Sequence, residues 1–422
     1  MTETSPRGRL TAVVAGRAGR RVSALCATLG AFAIVSSGLA PSAVAADVQS
    51  KQWYLDAMDA EGMWKISTGK GVKVAVLDTG VNPDTPSLKG QVLGDEVPKA
   101  VSYNATKDYI GHGTTLAEMI AGTGAGGGLQ GLAPDAKIIP YRVLTDDVKN
   151  AVDKKKTPAV ADAIKAAADS DAQIISMSFG SSIIDPDEEK AVKYAQSKGK
   201  LMFASTGNDA QTKNFIGYPA AYPYVVGVAA ADEKGKVGDF SEHGNYVDLG
   251  APGLNLPVWC DATFRSYCDG IEGTSLATAI ASASAALVWS AHPNWTANQV
   301  LRTLIDTAGR TWKKGERSNY LGYGAVRPRM VLENSSIDPG SASADPLSFE
   351  NGTGVTGVTA APSSSASDSS QGSKDTSGGA TSAASNSNSS DDNTQLYVIL
   401  GAALAVAIGG GAFAVARKRR TT

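Results

Sequence analysis

The sequence predicts an α/β domain built on a doubly wound, mostly parallel sheet with helices on both faces. Short apolar runs rich in Val, Ile and Leu alternate with helical stretches between residues 50 and 335. Parallel strands need a crossover to return to the same edge of a sheet, and a helix usually supplies it. Residues 275–290 are rich in Ala and carry no charge, so they predict a helix that is buried on every side.

The predicted elements follow one another as strand and helix along the chain. The strands are short, mainly apolar runs, and the helices are stretches of helix-forming composition. The predicted strands lie at 72–77, 137–144, 173–177, 201–204 and 225–230, and the predicted helices at 114–120, 159–168, 188–197 and 275–290. Because sites in open parallel sheets form beyond the carboxyl ends of the strands, we expect the functional residues there.

Residues 1–45 have the pattern of an export signal. Arg17, Arg20 and Arg21 precede an apolar run over 22–39, and small residues follow at 41–46. This order of basic, apolar and small residues predicts a secretory signal peptide that is cleaved close to residue 45. An uncleaved membrane anchor is the alternative, and the paired arginines leave both the general secretory and the twin-arginine export routes open.

The C-terminal end predicts a membrane anchor. Residues 396–416 contain no charge, and a helix of that length spans about 32 Å, enough for a hydrocarbon core of about 30 Å. The tail at 417–422 is basic. Since positive residues stay on the cytoplasmic side, we expect a single span with the C-terminus inside the cell and the domain outside.

A segment rich in Ser, Gly and Ala, residues 336–395, separates the domain from the predicted anchor. Apolar residues nearly vanish from it after Phe349. Such a segment buries too little surface to offset the entropy of ordering it, so it predicts a disordered stalk. The predicted organisation is therefore a signal peptide at 1–45, a folded domain at 46–335, the stalk, a transmembrane helix and a basic tail.

Charge and composition exclude two classes of protein. Residues 46–395 carry 30 basic and 40 acidic side chains, whereas both ends of the chain are basic. An acidic body argues against a nucleic-acid binder, and membrane targeting explains the basic ends. Only three Cys and three His occur in the whole chain, which excludes a multi-finger zinc protein. We expect no metal and no other cofactor.

Cys260 and Cys268 are the cysteines that remain once the signal peptide is removed. In an exported chain, two cysteines at this short spacing predict a disulfide that closes a small loop. Two free thiols are the alternative.

Four short segments place reactive side chains at strand ends or helix starts. Asp78 follows the first predicted strand, His112 lies between glycines near a helix start, Asn208 follows the fourth strand, and Ser275 opens the buried helix. Each has a structural alternative: a turn cap, a structural histidine, a Gly-Asn turn and a helix N-cap. Together they supply the orienting carboxylate, the base, the oxyanion donor and the nucleophile that acyl transfer needs.

Two other catalytic schemes fit less well. The Asp-Thr-Gly triplet at Asp78 is also found in aspartic proteases, but the chain has no second such triplet, so that mechanism would require a homodimer. The segment around Ser275 lacks the last glycine of Gly-x-Ser-x-Gly because Ala277 stands there. An α/β-hydrolase nucleophile elbow is therefore not supported.

In these motifs and in their order along the chain, residues 50–335 resemble the subtilisin-like serine proteases. The resemblance implies that Ser275 is the nucleophile, His112 the general base and Asp78 the residue that orients it. It also implies an oxyanion hole formed by Asn208 and the Ser275 backbone N–H. Since His112 must be neutral to act as a base, activity should fall below about pH 6.5 if its pKa is unshifted.

The resemblance also implies a substrate channel. One group of residues would pair with the substrate backbone as an edge strand, and another would form the wall and floor of the pocket for the residue before the scissile bond. The first group is Ser178, Phe179 and Gly180, and the second is Ser205, Thr206, Gly207 and Gly217. A glycine floor leaves room for a large side chain, and Asp209 near the mouth would attract a basic one.

The order of segments along the whole chain resembles that of one branch of the family, the mycosins of type VII secretion. Mycosins combine a signal peptide, a short N-terminal extension, a disulfide-bearing catalytic domain and a C-terminal membrane helix, and residues 53–71 look similar to their N-terminal segment.

Two features depart from the pattern of the subtilisin-like family. Ala279 replaces a proline that usually follows the nucleophile, and about 32 residues between Ala46 and Asp78 leave no room for a folded inhibitory prodomain.

The implied partners are a protein or peptide substrate, the membrane and the type VII secretion membrane complex. Two alternatives remain open at this stage. A general cell-surface protease would use the same chemistry in different biology, whereas a scaffold of a secretion complex would not need its catalysis.

Overall fold

Six parallel strands form the central sheet of the domain. The computed structural model describes residues 47–145 and 148–352. The strands pair in the order β2-β1-β3-β4-β5-β6. They are β1 Lys73–Asp78, β2 Lys137–Arg142, β3 Ile174–Met177, β4 Leu201–Ser205, β5 Val225–Ala231 and β6 Leu249–Pro252. Almost every strand residue is buried, as expected for a parallel sheet that is covered on both faces.

Helices cover the two faces of this sheet. Three short helices precede β1, namely α1 Asp47–Ser50, α2 Trp53–Ala57 and α3 Ala60–Trp64. The remaining helices are α4 His112–Ala121, α5 Ala151–Lys156, α6 Val160–Asp169, α7 Pro186–Ser197, α8 Thr274–Ala291, α9 Ala297–Thr307 and α10 Pro328–Leu332. Helices α4 and α8 pack on one face and α6 and α7 on the other. Alternate side chains of β1 accordingly enter different cores, Val76 one and Leu77 the other.

The predicted α/β fold with a parallel sheet is confirmed, and all nine predicted elements are present. Their bounds differ by a few residues at most, as at β2, which ends at Arg142 rather than at residue 144. The elements that were not predicted are strand β6, helices α1, α2, α3, α5, α9 and α10, and an antiparallel hairpin of β7 Leu256–Trp259 and β8 Tyr267–Ile271. Most of these elements are short, so their local patterns are weak. Helix α9 is the exception, because Thr296 and Gln299 form a capping box before an apolar face, a pattern that the sequence carries.

The folded domain extends beyond its predicted end at residue 335. Residues 336–352, assigned from sequence to the stalk, pack against the domain instead. Leu347 is 2% exposed, and Glu350 pairs with Arg317 at 2.7 Å. Composition did not reveal this segment because few of its residues are apolar, and hydrogen bonds such as that from the Tyr224 backbone N–H to Asn351 Oδ1 at 2.8 Å also hold it. The rest of the predicted stalk, from residue 353, lies outside the described residues.

Among the residues that the structure describes, α8 is the one helix that is long and apolar enough to cross a membrane. It is nevertheless the core helix of the domain, because nearly all of its residues are buried against the sheet and α4. The predicted signal peptide at 1–45 and the predicted transmembrane helix at 396–416 lie outside the described residues, as does the tail at 417–422.

Candidate active site

Asp78 and His112 meet at the carboxyl end of β1. Asp78 is the last residue of that strand and is fully buried, and His112 is the first residue of α4. His112 Nδ1 lies 2.7 Å from Asp78 Oδ1. β1 pairs with β2 on one side and with β3 on the other, and the strand order reverses here, so the pair lies where crevices form in such sheets.

The pKa of His112 reflects two opposing effects. Burial lowers it, whereas the charge of Asp78, the hydrogen bond from Asp78 and the charge of Asp108 raise it, and the net result is a raised pKa. The His112 side chain keeps 23% of its surface exposed. One edge of the ring is thus held by a buried carboxylate while the ring remains accessible from the crevice.

A second buried carboxylate, Asp108, fixes the loop that leads into α4. It accepts hydrogen bonds from the backbone N–H groups of Gly111 at 2.9 Å and Thr114 at 2.8 Å, and from the hydroxyl of Thr79 at 2.9 Å. Asp108 therefore connects the residue after Asp78 to the first turn of the helix that carries His112. Asp108 was not predicted from the sequence, although an Asp shortly before a helix start is a recognisable capping signal.

Gly113, beside His112, is required by close packing. A Cβ atom there would collide with the carbonyl oxygen of Gly80 and would lie 3.1 Å from Asp78 Oδ1. A larger residue would therefore push α4 away from the end of β1. The glycines that flank His112 in the sequence thus allow the helix to approach the carboxylate closely.

Ser275 lies in the first turn of α8, where free backbone N–H groups and the helix dipole favour negative charge. Its hydroxyl donates to the carbonyl oxygen of Ser178 at 3.1 Å, and the Ser178 hydroxyl donates to the Ser275 carbonyl at 3.1 Å. In this arrangement the Ser275 hydroxyl hydrogen-bonds to Ser178 rather than to His112. Hydrogen bonds between nucleophile and base commonly tighten only when substrate binds.

Asn208 is held with its amide in a defined orientation. Its Oδ1 accepts hydrogen bonds from the backbone N–H of Thr274 at 3.0 Å and from the Thr274 hydroxyl at 2.9 Å. With the oxygen occupied, the Nδ2 group is left to donate, and it lies 4.0 Å from the position a Cβ atom would take at Gly273. The Asn208 amide donor is therefore beside the N-terminus of the helix that carries Ser275.

The residues predicted for the substrate channel also come together. Ser178, Phe179 and Gly180 continue from the end of β3, and Thr206 and Gly207 continue from Ser205 at the end of β4. A Cβ atom at Gly180 would lie 3.9 Å from the carbonyl oxygens of both Ser205 and Tyr218. A Cβ atom at Gly217 would lie 2.6 Å from the Thr206 carbonyl oxygen, so a side chain there would fill the space between these segments.

The predicted disulfide is present and lies in the β7–β8 hairpin. Cys260 and Cys268 are joined at 2.04 Å. The hairpin packs on α4, because the Tyr267 hydroxyl donates to the Glu118 carboxylate at 2.7 Å and the Trp259 backbone N–H donates to the Thr115 hydroxyl at 3.1 Å. Glu118 is completely buried, and this burial raises its pKa to about 7. The disulfide-bonded hairpin thus supports the helix that begins with His112.

No group of three or more His, Cys, Asp or Glu side chains among residues 47–145 and 148–352 is arranged to hold a metal ion. The carboxylates of Asp78 and Asp108 are instead used to accept hydrogen bonds from neighbouring groups. At one edge of the sheet, the candidate site residues bring together a hydroxyl, an imidazole, a buried carboxylate and an amide donor. These are the groups that a serine hydrolase uses.

Comparison with known proteins defines the family. The subtilase family matches residues 69–324 of this chain. Thermitase from Thermoactinomyces vulgaris is 33% identical over 280 residues, which span 64% of this chain and 95% of thermitase. The chain therefore belongs to the subtilase family, and it is a subtilisin-like serine endopeptidase.

Solved structures confirm the resemblance to the mycosins. The structure of the MycP3 protease from the type VII (ESX-3) secretion system matches with a TM-score of 0.54 and 28% identity, covering 66% of this chain and 87% of that one. MycP1 from Mycobacterium smegmatis matches with a TM-score of 0.53 and 26% identity, covering 69% of this chain and 86% of that one. Both proteases have the fold described above.

Proposed function

We propose that this protein is a membrane-anchored, extracytoplasmic serine endopeptidase of mycosin type that hydrolyses peptide bonds through an acyl-enzyme on Ser275. The observation that carries the proposal is the 2.7 Å contact between His112 Nδ1 and the buried Asp78 carboxylate. It leaves Nε2 of the neutral ring as the acceptor for a proton from the Ser275 hydroxyl.

In the proposed mechanism, Ser275 Oγ attacks the carbonyl carbon of the substrate while His112 takes its proton. Asp78 holds the imidazole in the correct tautomer and stabilises its cationic form. The oxyanion receives hydrogen bonds from Asn208 Nδ2 and from the Ser275 backbone N–H. His112 then gives its proton to the leaving amine, and a water molecule repeats the sequence to release the acid.

The substrate would bind as an extended strand along residues 178–180. Its residue before the scissile bond would enter a pocket between Gly180 and the segment 205–207, with Gly217 as the floor. The close approach of backbone at these glycines supports this assignment.

The proposed cellular role is a link to type VII secretion. It is supported by the structural similarity to MycP1 and MycP3, whose structures are described as type VII secretion proteases. The predicted signal peptide and C-terminal anchor support a location on the outer side of the cell membrane with a cytoplasmic C-terminus.

The chemistry is tested with the full-length protein in detergent and a fluorophosphonate probe, with Ser275→Ala as the control. Labelling of the wild type alone supports the assignment. A folded wild-type protein that neither labels nor cleaves peptides would contradict it.

The cellular role is tested separately in the native host. A deletion strain is complemented with the wild type or with Ser275→Ala, and type VII secretion is measured in each. Loss of secretion in the deletion strain is expected. Unchanged secretion in that strain contradicts the link, and full rescue by Ser275→Ala shows that the role is structural.

A further inference from the structure

Glu242 is a buried carboxylate beside the proposed pocket for the residue before the scissile bond, called here the primary specificity pocket. The residue is 4% exposed. Among the described residues, the groups that act on its carboxylate are the backbone N–H groups of Phe215 and Asp209 and the negative charge of Asp209, and no lysine or arginine is among them. Carboxylates are rarely this buried without a partner, because desolvation disfavours the charged form.

The Glu242 carboxylate lies against both glycines of the pocket. A Cβ atom at Gly207 would overlap it, and a Cβ atom at Gly217 would lie 3.6 Å from Glu242 Oε2. The Glu242 backbone N–H donates to the Gly207 carbonyl oxygen at 3.0 Å, which fixes the two segments together. The carboxylate therefore occupies the space that side chains at the wall and the floor of the pocket would otherwise fill.

The surroundings of Glu242 are poor in positive charge. Burial is the main cause that raises its pKa to about 7, and the negative charge of Asp209 raises it further. The backbone N–H groups of Phe215 and Asp209 offset part of this effect. A cationic group that entered the pocket would provide the missing partner, and it would do so in a buried site where a charged hydrogen bond is strong.

We propose that Glu242 is a specificity-determining residue, and that it selects substrates with Lys or Arg immediately before the scissile bond. This inference rests on the proposed function, since it requires the pocket assignment made there. Asp209, next to the oxyanion donor Asn208, adds negative charge near the same pocket. A neutral side chain would fill the pocket and desolvate the Glu242 carboxylate further without supplying an opposite charge, which costs binding energy.

The test uses the full-length protein in detergent and two peptide substrates that differ at one position. One has lysine before the scissile bond, and the other has norleucine, which has the same carbon chain without the ammonium group. We expect kcat/KM to be roughly tenfold or more higher for the lysine peptide, as for a charged hydrogen bond in a buried site. Glu242→Gln should bring the two values of kcat/KM together, chiefly by lowering the value for the lysine peptide.

Glu233→Gln is the matched control, because Glu233 is an exposed carboxylate outside the channel. It should retain the full lysine preference. Equal kcat/KM for both peptides in the wild type, or a lysine preference that survives in Glu242→Gln, would overturn the proposal.

Fluorophosphonate labelling separates failure of this inference from failure of the proposed function. A wild-type enzyme that labels at Ser275 and shows no lysine preference overturns only the specificity. A folded wild type that does not label overturns the function on which the inference depends. If Glu242→Gln does not label, the comparison is repeated with Glu242→Ser, whose side chain is smaller and uncharged. The ratio of kcat/KM for the two peptides in the wild type is a test that depends on neither variant.

Discussion

His112 Nδ1 lies 2.7 Å from Asp78 Oδ1, and the carboxylate in this contact is completely buried. The contact joins the last residue of β1 to the first residue of α4. A neutral imidazole held in this way has its Nδ1 proton on the carboxylate side and its Nε2 lone pair free. The chemistry proposed for the site depends on this one orientation.

Replacing Asp78 with Asn should test that orientation directly. An Asn side chain has nearly the same shape, but it neither carries the negative charge nor enforces the same imidazole tautomer. We expect kcat to fall by about 10⁴, as is typical for this change in a Ser-His-Asp site, with little change in KM. Steady-state peptidase assays measure the effect, and circular dichroism checks the fold. A kcat within tenfold of the wild type would contradict the role of Asp78.

Asn208→Ala should remove one oxyanion donor. The expected loss is about 10²–10³ in kcat with KM nearly unchanged, because the donor acts on charge that develops in the transition state. Asn214→Ala is a suitable control, since the Asn214 side chain lies at the surface and bonds to the backbone of His243. A raised KM with kcat unchanged for Asn208→Ala would instead indicate a role in ground-state binding.

The pH dependence of kcat/KM should follow the raised pKa of His112. A raised pKa means that the imidazolium persists to higher pH, so the neutral base is lost as pH falls through a value above the ordinary 6.5. We therefore expect the decline to begin higher than an unshifted histidine would give, with tenfold loss per pH unit on the acid side. An uncharged norleucine peptide is the suitable substrate. A profile that stays flat down to pH 5 would contradict the prediction.

Glu118 should make the free energy of unfolding depend on pH. Its pKa is about 7 in the folded protein against an ordinary 4.5, so the unfolded chain releases this proton first. The stabilisation that protonated Glu118 provides is complete below pH 4.5 and is lost as the pH rises through about 7. The free energy of unfolding should fall by up to about 3 kcal/mol over this range. Glu118→Gln should flatten that part of the stability profile.

Denaturant unfolding at several pH values between 4.5 and 8 measures this effect. Glu189→Gln is the control, because Glu189 lies on the solvent side of α7 and pairs with Lys193. Identical pH profiles for the wild type and Glu118→Gln would show that Glu118 does not titrate in this range.

Removal of the disulfide should destabilise the domain and weaken catalysis together. A bridge between residues eight apart constrains the unfolded chain by about 2–3 kcal/mol. The double variant Cys260→Ser and Cys268→Ser should lose about that much stability. It should also lose kcat, because the hairpin supports α4 through Tyr267 and Glu118. Thermal unfolding and peptidase assays measure the two losses, and an unchanged kcat would show that the hairpin does not position His112.

Much of the site was predictable because its segments carry local patterns. Asp78 ends a β-branched run, His112 lies between glycines, and Ser275 opens an Ala-rich helix, so each can be recognised without its partners. Asp108 was missed although it is only four residues before His112. A capping aspartate is common at helix starts, and its link to Thr79 is visible only when the strand end and the helix start are brought together.

The sequence by itself predicted the order of the main strands and helices, the four candidate catalytic residues and the paired cysteines, since each depends on neighbours within a few positions. The predicted export signal and membrane anchor depend on sequence alone. Only the tertiary structure decided which buried carboxylates surround the site. Glu242 approaches Gly207 and Glu118 approaches Tyr267 from distant parts of the chain. No local pattern marks such contacts, because the packing of β4, β5 and the hairpin creates both the burial and the proximity.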